Sequence, residues 1–134
     1  MTTNFSPDLL VSDVVRASRF LQEALGFKEL DRVGPPDAPV WAMLERDRQR
    51  VMVEAAPGAQ DPDARALLER QGGKLGASVH FYMSVDDLDL EVARLKRAKV
   101  EHSGPTSKPY GMREIAFHDP DGYSWLIGQR LPAK

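Results

Sequence analysis

Apolar positions recur with helical spacing between residues 14 and 25 of this chain. One helical face collects Val14, Ala17, Phe20, Leu21 and Leu25. Ser12 or Asp13 precedes this stretch as a candidate N-cap, and Gly26 follows it as a typical C-terminal stop. The pattern therefore predicts one amphipathic helix near the start of the chain.

Strand-like segments surround this helix. A short apolar run lies before it at 7–11, and a strand is predicted after it at 27–34, where it ends in a Gly-Pro-Pro-Asp turn. Two further runs, 40–47 and 50–55, alternate as strands do, with a short polar connection from Glu45 to Gln49. The first half of the chain thus predicts the order β-α-β-β-β.

The second half repeats that order. A strand is predicted at 78–85, then a helix with Leu88, Val92 and Leu95 at helical spacing, then a short strand and a Pro/Gly-rich loop. A hairpin of 112–119 and 123–130 closes the chain. Between the halves, 56–77 breaks the pattern and holds only a turn or two of helix at 64–71. We predict modules at 1–56 and 77–134 in one domain, with 57–76 connecting them.

The two halves superpose as patterns rather than as residues. Asp13 matches Asp87 at an offset of 74, and Val53 matches Leu126 at an offset of 73, so one inserted residue separates the halves. Two such modules predict an α+β fold, in which mixed sheets form an incompletely closed barrel with the helices outside. Inward positions of both sheets then line a shared cleft.

Composition narrows the class of protein. The chain has 134 residues, 42% of them hydrophobic and 28% charged, with a net charge of −2 and no cysteine. These values are typical of a globular protein, and the lack of cysteine suits a reducing cytoplasm. The single basic run, at 94–99, lies on a predicted helix without interleaved aromatics, so no nucleic-acid partner is expected. No segment resembles a signal peptide or a membrane span.

Three stretches carry a resemblance to a known family. They are "LLVSDVVRASRFLQEALGF" at 9–27, "VHFYMSVDDLDLEVARLKRAKV" at 79–100 and "PYGMREIAFHDPDGYSWLIG" at 109–128. Together they resemble the vicinal oxygen chelate superfamily, which contains glyoxalase I, bleomycin-resistance proteins, fosfomycin-resistance enzymes and extradiol dioxygenases. Metal-dependent members take ligands from the first and last strand of each half.

The resemblance implies four ligand positions here, and only one fits. His80 matches, whereas Ser6, Val53 and Leu126 stand at the other three places. Structural and catalytic sites for such ions need three or four protein ligands, so no metal and no other cofactor is expected. The alternative is a divalent metal on His80 and Glu54, if a bulge in 51–55 turns Glu54 inward.

Strand alternation predicts what lines the cleft instead. The predicted lining is Ser6, Asp8, Trp41, Met43, Val51, Val53, His80, Tyr82, Glu114, Ala116, Ser124 and Leu126. The opposite face is predicted to carry Met52, Ile115, Phe117 and Trp125 under the helices. We expect ligand contacts from Asp8, Trp41, Met43, Val53, His80, Tyr82, Glu114 and Leu126.

Structural roles compete with these expectations. Trp41 can be plain core, His80 can be a remnant bonded to Glu114 or Tyr82, and Glu114 can pair with Arg113 or Arg46. Likewise, the loop at 103–112 can be a lid or a simple connection.

Two classes of function follow. The first is a metal-free homodimer that binds or sequesters a small aromatic or drug-like molecule, as the resemblance to bleomycin-resistance proteins implies. The second is an enzyme: a metal-dependent lyase, isomerase or dioxygenase, or an acid–base enzyme using His80 with Glu114 or Tyr82. Module pairing within one chain or between two chains is compatible with the resemblance.

Overall fold

The computed structural model describes residues 3–56, 62–77 and 79–133, with the side chain of Ala64 left out. The elements in chain order are β1 (Asp8–Val11), α1 (Val14–Leu25), β2 (Lys28–Val33), β3 (Trp41–Arg46), β4 (Gln49–Ala55), α2 (Pro62–Arg70), β5 (His80–Ser84), α3 (Leu88–Arg97), β6 (Ser103–Ser107), β7 (Met112–His118) and β8 (Ser124–Arg130). None of the described helices is long and apolar enough to span a bilayer.

The strands form two four-stranded sheets of identical topology. Sheet A has the order β1-β4-β3-β2 and sheet B the order β5-β8-β7-β6. In each, the first and last strands of the module pair in parallel, and the remaining pairs are antiparallel. Two β-α-β-β-β modules in an α+β fold without a closed barrel confirm the predicted fold class.

Helix α1 begins and ends where the sequence indicates. The Asp13 carboxylate accepts a hydrogen bond from the Arg16 backbone N–H, which satisfies one of the donors left free at a helix start. Gly26 adopts φ +71°, a left-handed conformation that glycine reaches without a Cβ penalty. Asp87 caps α3 in the same manner.

The β3–β4 turn decides which side chains share a face of sheet A. Asp47 and Arg48 both have positive φ, at 48° and 68°, and form a two-residue turn. The longer connection predicted from Glu45 to Gln49 is therefore wrong. Directly opposite residues share a face, so the turn sets Met43 against Met52.

This register corrects the predicted lining. Val53, expected in the cleft, is 0% exposed and packs with α1 side chains. Val51 lies on the same side of β4, where it is buried and lines the cavity described below. Met52 and Glu54 lie instead on the face predicted for the valines. A slip of one residue exchanges the two faces of a strand, and the offset of 73 that matched Val53 to Leu126 contained that slip.

The register also corrects the internal repeat. Asp8 pairs with Met52, and Tyr82 pairs with Leu126, so Met52 is the counterpart of Leu126. The offset is 74 for both strands (82 − 8 and 126 − 52), as it is for the two helix caps. No inserted residue separates these elements.

One hydrophobic core joins the two modules. It collects α1, α3 and one face of each sheet, and it includes Leu44 and Val53 from sheet A and Ile115 and Ile127 from sheet B. We call the other face of each sheet its open face. Of the side chains predicted to pack under the helices, Ile115, Phe117 and Trp125 do so.

A buried ion pair also crosses between the modules. Arg46 at the end of β3 bonds both carboxylate oxygens of Glu91 in α3, and its Nη1 donates to the Leu25 carbonyl at 2.8 Å. The Glu91 carboxylate is 3% exposed, and the Arg94 Nε lies 3.6 Å from it. The hydrogen bond to Glu91 raises the pKa of Arg46. The pair fixes the C-terminal end of α1 against the second module.

Helix α2 lies in the predicted connecting segment and extends over Pro62–Arg70. The boundaries at 1–56, 57–76 and 77–134 stay predictions. Part of this region, 57–61, and the predicted start of a strand at residue 78 lie outside the described residues; the described strand begins at His80.

Candidate functional site

A cavity of about 570 Å³ opens between the two modules beneath α2. Its walls come from β1, the start of β4, β5, the residues before β8, and the inner side of α2 with the turn after it. Its apolar lining residues include Phe5, Leu9, Phe27, Leu67, Leu68, Phe81, Met83, Tyr123 and Trp125. This size falls in the usual range for a small organic ligand.

Aromatic side chains form one wall of this cavity. The ring of Phe81 lies 4.8 Å from that of Trp125 and 6.0 Å from that of Tyr123, in tilted arrangements. The Tyr123 hydroxyl donates to the Leu10 carbonyl at 2.8 Å, so this ring also ties β1 to the second module. Rings held in this way offer a planar ligand a fixed apolar surface.

Polar groups border the cavity at its edge. Asp8, Gln49, Arg50, Lys74 and Tyr82 contribute to its lining. Arg50 already forms an ion pair, because its Nε lies 2.9 Å from the Glu45 carboxylate. Two predicted ligand contacts, Asp8 and Tyr82, therefore lie at this cavity.

Tyr82 connects the cavity to a buried carboxylate on the open face of sheet B. Its hydroxyl donates to Glu114 Oε2 at 2.7 Å, and the Tyr110 hydroxyl lies 2.7 Å from both Glu114 oxygens. Glu114 is 3% exposed, whereas Tyr82 and Tyr110 are 48% and 64% exposed. We call these three residues the Tyr–Glu–Tyr cluster.

The cluster favours neutral phenols. Partial burial and the hydrogen bond to Glu114 raise the pKa of Tyr82 to about 12. The hydrogen bond to Glu114 likewise raises the pKa of Tyr110. Both tyrosines therefore stay protonated at neutral pH and keep donating to the carboxylate.

A glycine makes room for this arrangement. Gly128 lies opposite Glu114 in the β7–β8 ladder, and a Cβ built there would lie 2.2 Å from the Tyr82 hydroxyl oxygen. A side chain at position 128 would push the Tyr82 hydroxyl aside. The counterpart of Gly128 in sheet A, at the offset of 74, is Glu54.

The pairings proposed for Glu114 and His80 from the sequence are wrong. Arg46 binds Glu91, and Arg113 lies 3.1 Å from Asp89, so neither neutralises Glu114. His80 Nδ1 lies 2.8 Å from the Ser124 hydroxyl rather than from Glu114 or Tyr82.

The remaining predicted contacts divide between the two open faces. Leu126 lies between Tyr82 and Ala116 in sheet B, as alternation predicted. In sheet A, Trp41 faces Glu54 and Met43 faces Met52 across the β3–β4 ladder. None of Trp41, Met43 or Leu126 lines the cavity beneath α2.

The described residues do not fit the metal site that the resemblance implies. Glu54 does lie on the open face, but the register puts Met52, not a carboxylate, at the counterpart of Leu126. Within 3–56, 62–77 and 79–133, no three His, Asp or Glu side chains are grouped as a metal site requires. The expectation of a cofactor-free protein stays a prediction.

Sequence comparison identifies the family. A model described as "Glyoxalase/Bleomycin resistance protein/Dioxygenase superfamily" matches residues 5–127. The chain belongs to this superfamily. A search of curated protein sequences finds no match.

Several solved structures share the fold at low sequence identity. TioX from Micromonospora sp. ML1 superposes with a TM-score of 0.75 at 22% identity, covering 97% of this chain and 100% of that one. TnmS3, an antibiotic binding protein from Streptomyces sp. CB03234, gives 0.69 at 24% identity, with 99% and 98% covered. Lactoylglutathione lyase from Agrobacterium tumefaciens gives 0.66 at 18% identity, with 96% and 94% covered. These similarities establish the fold.

Sequence reasoning missed the cavity itself. Leu67 and Leu68 of α2 and Gln71 in the turn after it line the cavity, although the sequence pattern predicts only a connecting segment there. Their spacing of one and four residues is that of a helical face, which was the available signal. The sequence does not indicate the role of Gly128 in the Tyr82–Glu114 contact. That role depends on the Tyr82 side chain, which lies on a strand 46 residues earlier in the sequence (128 − 82).

Proposed function

We propose that this protein binds and sequesters a small, planar, mostly apolar molecule without transforming it. The observation that carries the proposal is the cavity of about 570 Å³, walled by Phe81, Tyr123 and Trp125 and bordered by few polar groups. Such a composition gives affinity through burial and stacking, while the polar border orients the ligand.

The family contains both binding proteins and enzymes, and the site chemistry favours binding. An enzyme of the metal-dependent type needs a ligand set that the described residues do not group together. The acid–base alternative would use His80, but its nearest hydrogen-bonding partner is Ser124 rather than Glu114 or Tyr82. TnmS3, which shares the fold, is described as an antibiotic binding protein.

The proposal includes a homodimer in the cytoplasm. Several large apolar side chains are exposed on the single chain, among them Leu90 at 62% and Leu30 at 45%. Where such side chains join into one patch, a second subunit commonly covers it. Light scattering coupled to size-exclusion chromatography tests this part: a mass near 30 kDa, twice the 14.9 kDa of one chain, supports it and a monomer contradicts it.

A cavity-filling substitution tests ligand binding. Val79 lines the cavity and is 42% exposed, so tryptophan can enter there and occupy the space without overpacking the core. Val33 is 50% exposed on β2 and does not line the cavity. We expect Val79→Trp to abolish the binding of planar aromatic probes in equilibrium dialysis, and Val33→Trp to leave it intact.

Recovery of the ligand separates binding from catalysis. Mass spectrometry of the released probe should find it unchanged after long incubation. Turnover that His80→Ala abolishes while binding persists would establish the acid–base alternative. Turnover that requires stoichiometric metal would establish the metal-dependent one.

A further inference from the structure

The Tyr–Glu–Tyr cluster holds a buried carboxylate without a cation. Glu114 is 3% exposed, and among the described residues no Lys, Arg or His side chain forms an ion pair with it. Phenol hydroxyls stabilise a carboxylate by hydrogen bonding but carry no positive charge to balance it. Burial of a charge is costly unless it is paired, so this carboxylate favours an approaching cation.

The surface of the cluster has the right chemistry for such a cation. Both phenol protons are donated to Glu114, so each hydroxyl oxygen keeps lone pairs that can accept a further hydrogen bond. Residues Tyr82 and Tyr110 are 48% and 64% exposed. Aromatic ring faces attract ammonium and guanidinium groups. A protonated amine meets acceptors, ring faces and a nearby negative charge together.

The cluster lies at the border of the cavity. Tyr82 lines the cavity with its ring and bonds Glu114 with its hydroxyl. The basic residues of the cavity are placed elsewhere: Arg50 pairs with Glu45, and Lys74 follows α2. Gly128 leaves room for the Tyr82 hydroxyl beside Glu114, since a Cβ there would displace that hydroxyl.

From this arrangement we infer that the ligand carries a protonated amine beside its planar apolar body. The body enters the cavity, and the ammonium group binds against Tyr82 at the cavity border, where the Tyr82 hydroxyl is bonded to Glu114. This inference rests on the proposed binding function and names the class of ligand for the same site. Glu114 acts through its charge, and Tyr82 orients it.

Three matched naphthalene probes test the inference. They are 1-naphthylmethylamine, which is protonated at pH 7, the neutral 1-naphthylmethanol and the anionic 1-naphthoate. Isothermal titration calorimetry on the wild-type protein should give an affinity for the amine at least about tenfold above that for the alcohol, which corresponds to ~1.4 kcal/mol. The anion should bind most weakly, and added salt should reduce the preference for the amine.

Three variants test which residues produce the preference for the amine over the alcohol. Glu114→Gln keeps the shape and removes the charge, so the amine and the alcohol should then bind equally. Glu23→Gln removes the same charge from the exposed side of α1, far from the cavity lining, and should leave the preference unchanged. Tyr110→Phe removes one acceptor and should reduce the preference by about threefold, on the scale of one hydrogen bond.

Each outcome separates the two ideas. If the alcohol binds as tightly as the amine, or if Glu114→Gln keeps the preference, the inferred amine is wrong and the binding function stands. If Glu23→Gln lowers the preference as much as Glu114→Gln, general charge explains it and the cluster does not. If none of the three probes binds, the inferred amine ligand is overturned together with the proposed function.

Discussion

The protein buries two glutamates to the same extent and uses them differently. The side chain of Glu91 and residue Glu114 are both 3% exposed. Glu91 forms an ion pair with Arg46, and the Arg94 side chain lies nearby. The Arg46 guanidinium also binds the Leu25 carbonyl at the C-terminal end of α1, where the helix dipole favours a positive charge. Glu114 is held by two phenols whose rings face outward. Glu91, whose cation belongs to the fold, therefore has a structural role. Glu114, which has no cation of its own, is the carboxylate to which we assign the ligand amine.

Replacing Glu91 should have the largest effect. Glu91→Gln leaves the Arg46 guanidinium, only 18% exposed, beside an amide that carries no charge. Breaking a buried ion pair in this way costs about 3–5 kcal/mol of stability. We expect a loss near the lower end, ~3 kcal/mol, in the free energy of unfolding measured with urea.

The matched change at Glu114 should cost far less stability. In Glu114→Gln the amide oxygen still accepts from the two phenols, so the expected loss is about 1 kcal/mol, the net contribution of one hydrogen bond. Equal losses for Glu91→Gln and Glu114→Gln would contradict the distinction between the two sites.

Gly128→Ala should disturb only the ligand site. The new Cβ would lie 2.2 Å from the Tyr82 hydroxyl oxygen, so the ring must leave Glu114. Overpacking of this kind costs about 1–3 kcal/mol. Unfolding measurements on a double-mutant cycle with Tyr82→Phe check the cause, because removal of the hydroxyl should recover most of that loss. An unchanged penalty in the Tyr82→Phe background would place the clash elsewhere.

Tyrosine ionisation distinguishes the cluster by pH. Burial raises the pKa of Tyr82 and of Tyr123 to about 12, and the hydrogen bond to Glu114 raises that of Tyr110. An unfolded tyrosine ionises near pH 10. Because the folded pKa values are the higher ones, their contribution to stability is complete below about pH 10 and is lost as the pH rises through about 12. Absorbance at 295 nm should show tyrosinate appearing above pH 10 in the native protein and near pH 10 in urea.

His80→Ala should have the smallest effect. His80 is exposed and bonds Ser124 outside the cavity lining. Probe affinity measured by calorimetry should therefore change by less than about twofold, as expected for a surface substitution. A loss of more than tenfold would return His80 to the centre of the site.

The elements of the fold were predictable because each is encoded locally. Asp13 and Gly26 mark the ends of α1, and the alternation in β7 and β8 correctly set Ala116 and Leu126 on one face. The face of β4 was not predictable in the same way. Its phase depends on the length of a turn at Asp47-Arg48, and one residue there inverts every side chain of the strand.

The site was predictable only in part. Strand alternation placed Tyr82, Glu114 and Asp8 on the open faces where the structure has them, but it did not predict their hydrogen-bond partners. Arg46 reaches Glu91 and Tyr110 reaches Glu114 through contacts that depend on how modules and loops pack. The cavity lies beneath α2, whose apolar face is short. Sequence periodicity alone therefore does not predict that α2 lines a cavity.

Tryptophan fluorescence tests the central claim most directly. The chain has two tryptophans, of which Trp125 lines the cavity and Trp41 lies on the open face of sheet A. In the Trp41→Phe variant the emission comes from Trp125 alone. Titration with 1-naphthylmethylamine should then quench that emission saturably. If the emission of Trp125 is unaffected while a Trp125→Phe variant shows saturable quenching of Trp41, the ligand binds on the open face of sheet A and the cavity between the modules is not its site.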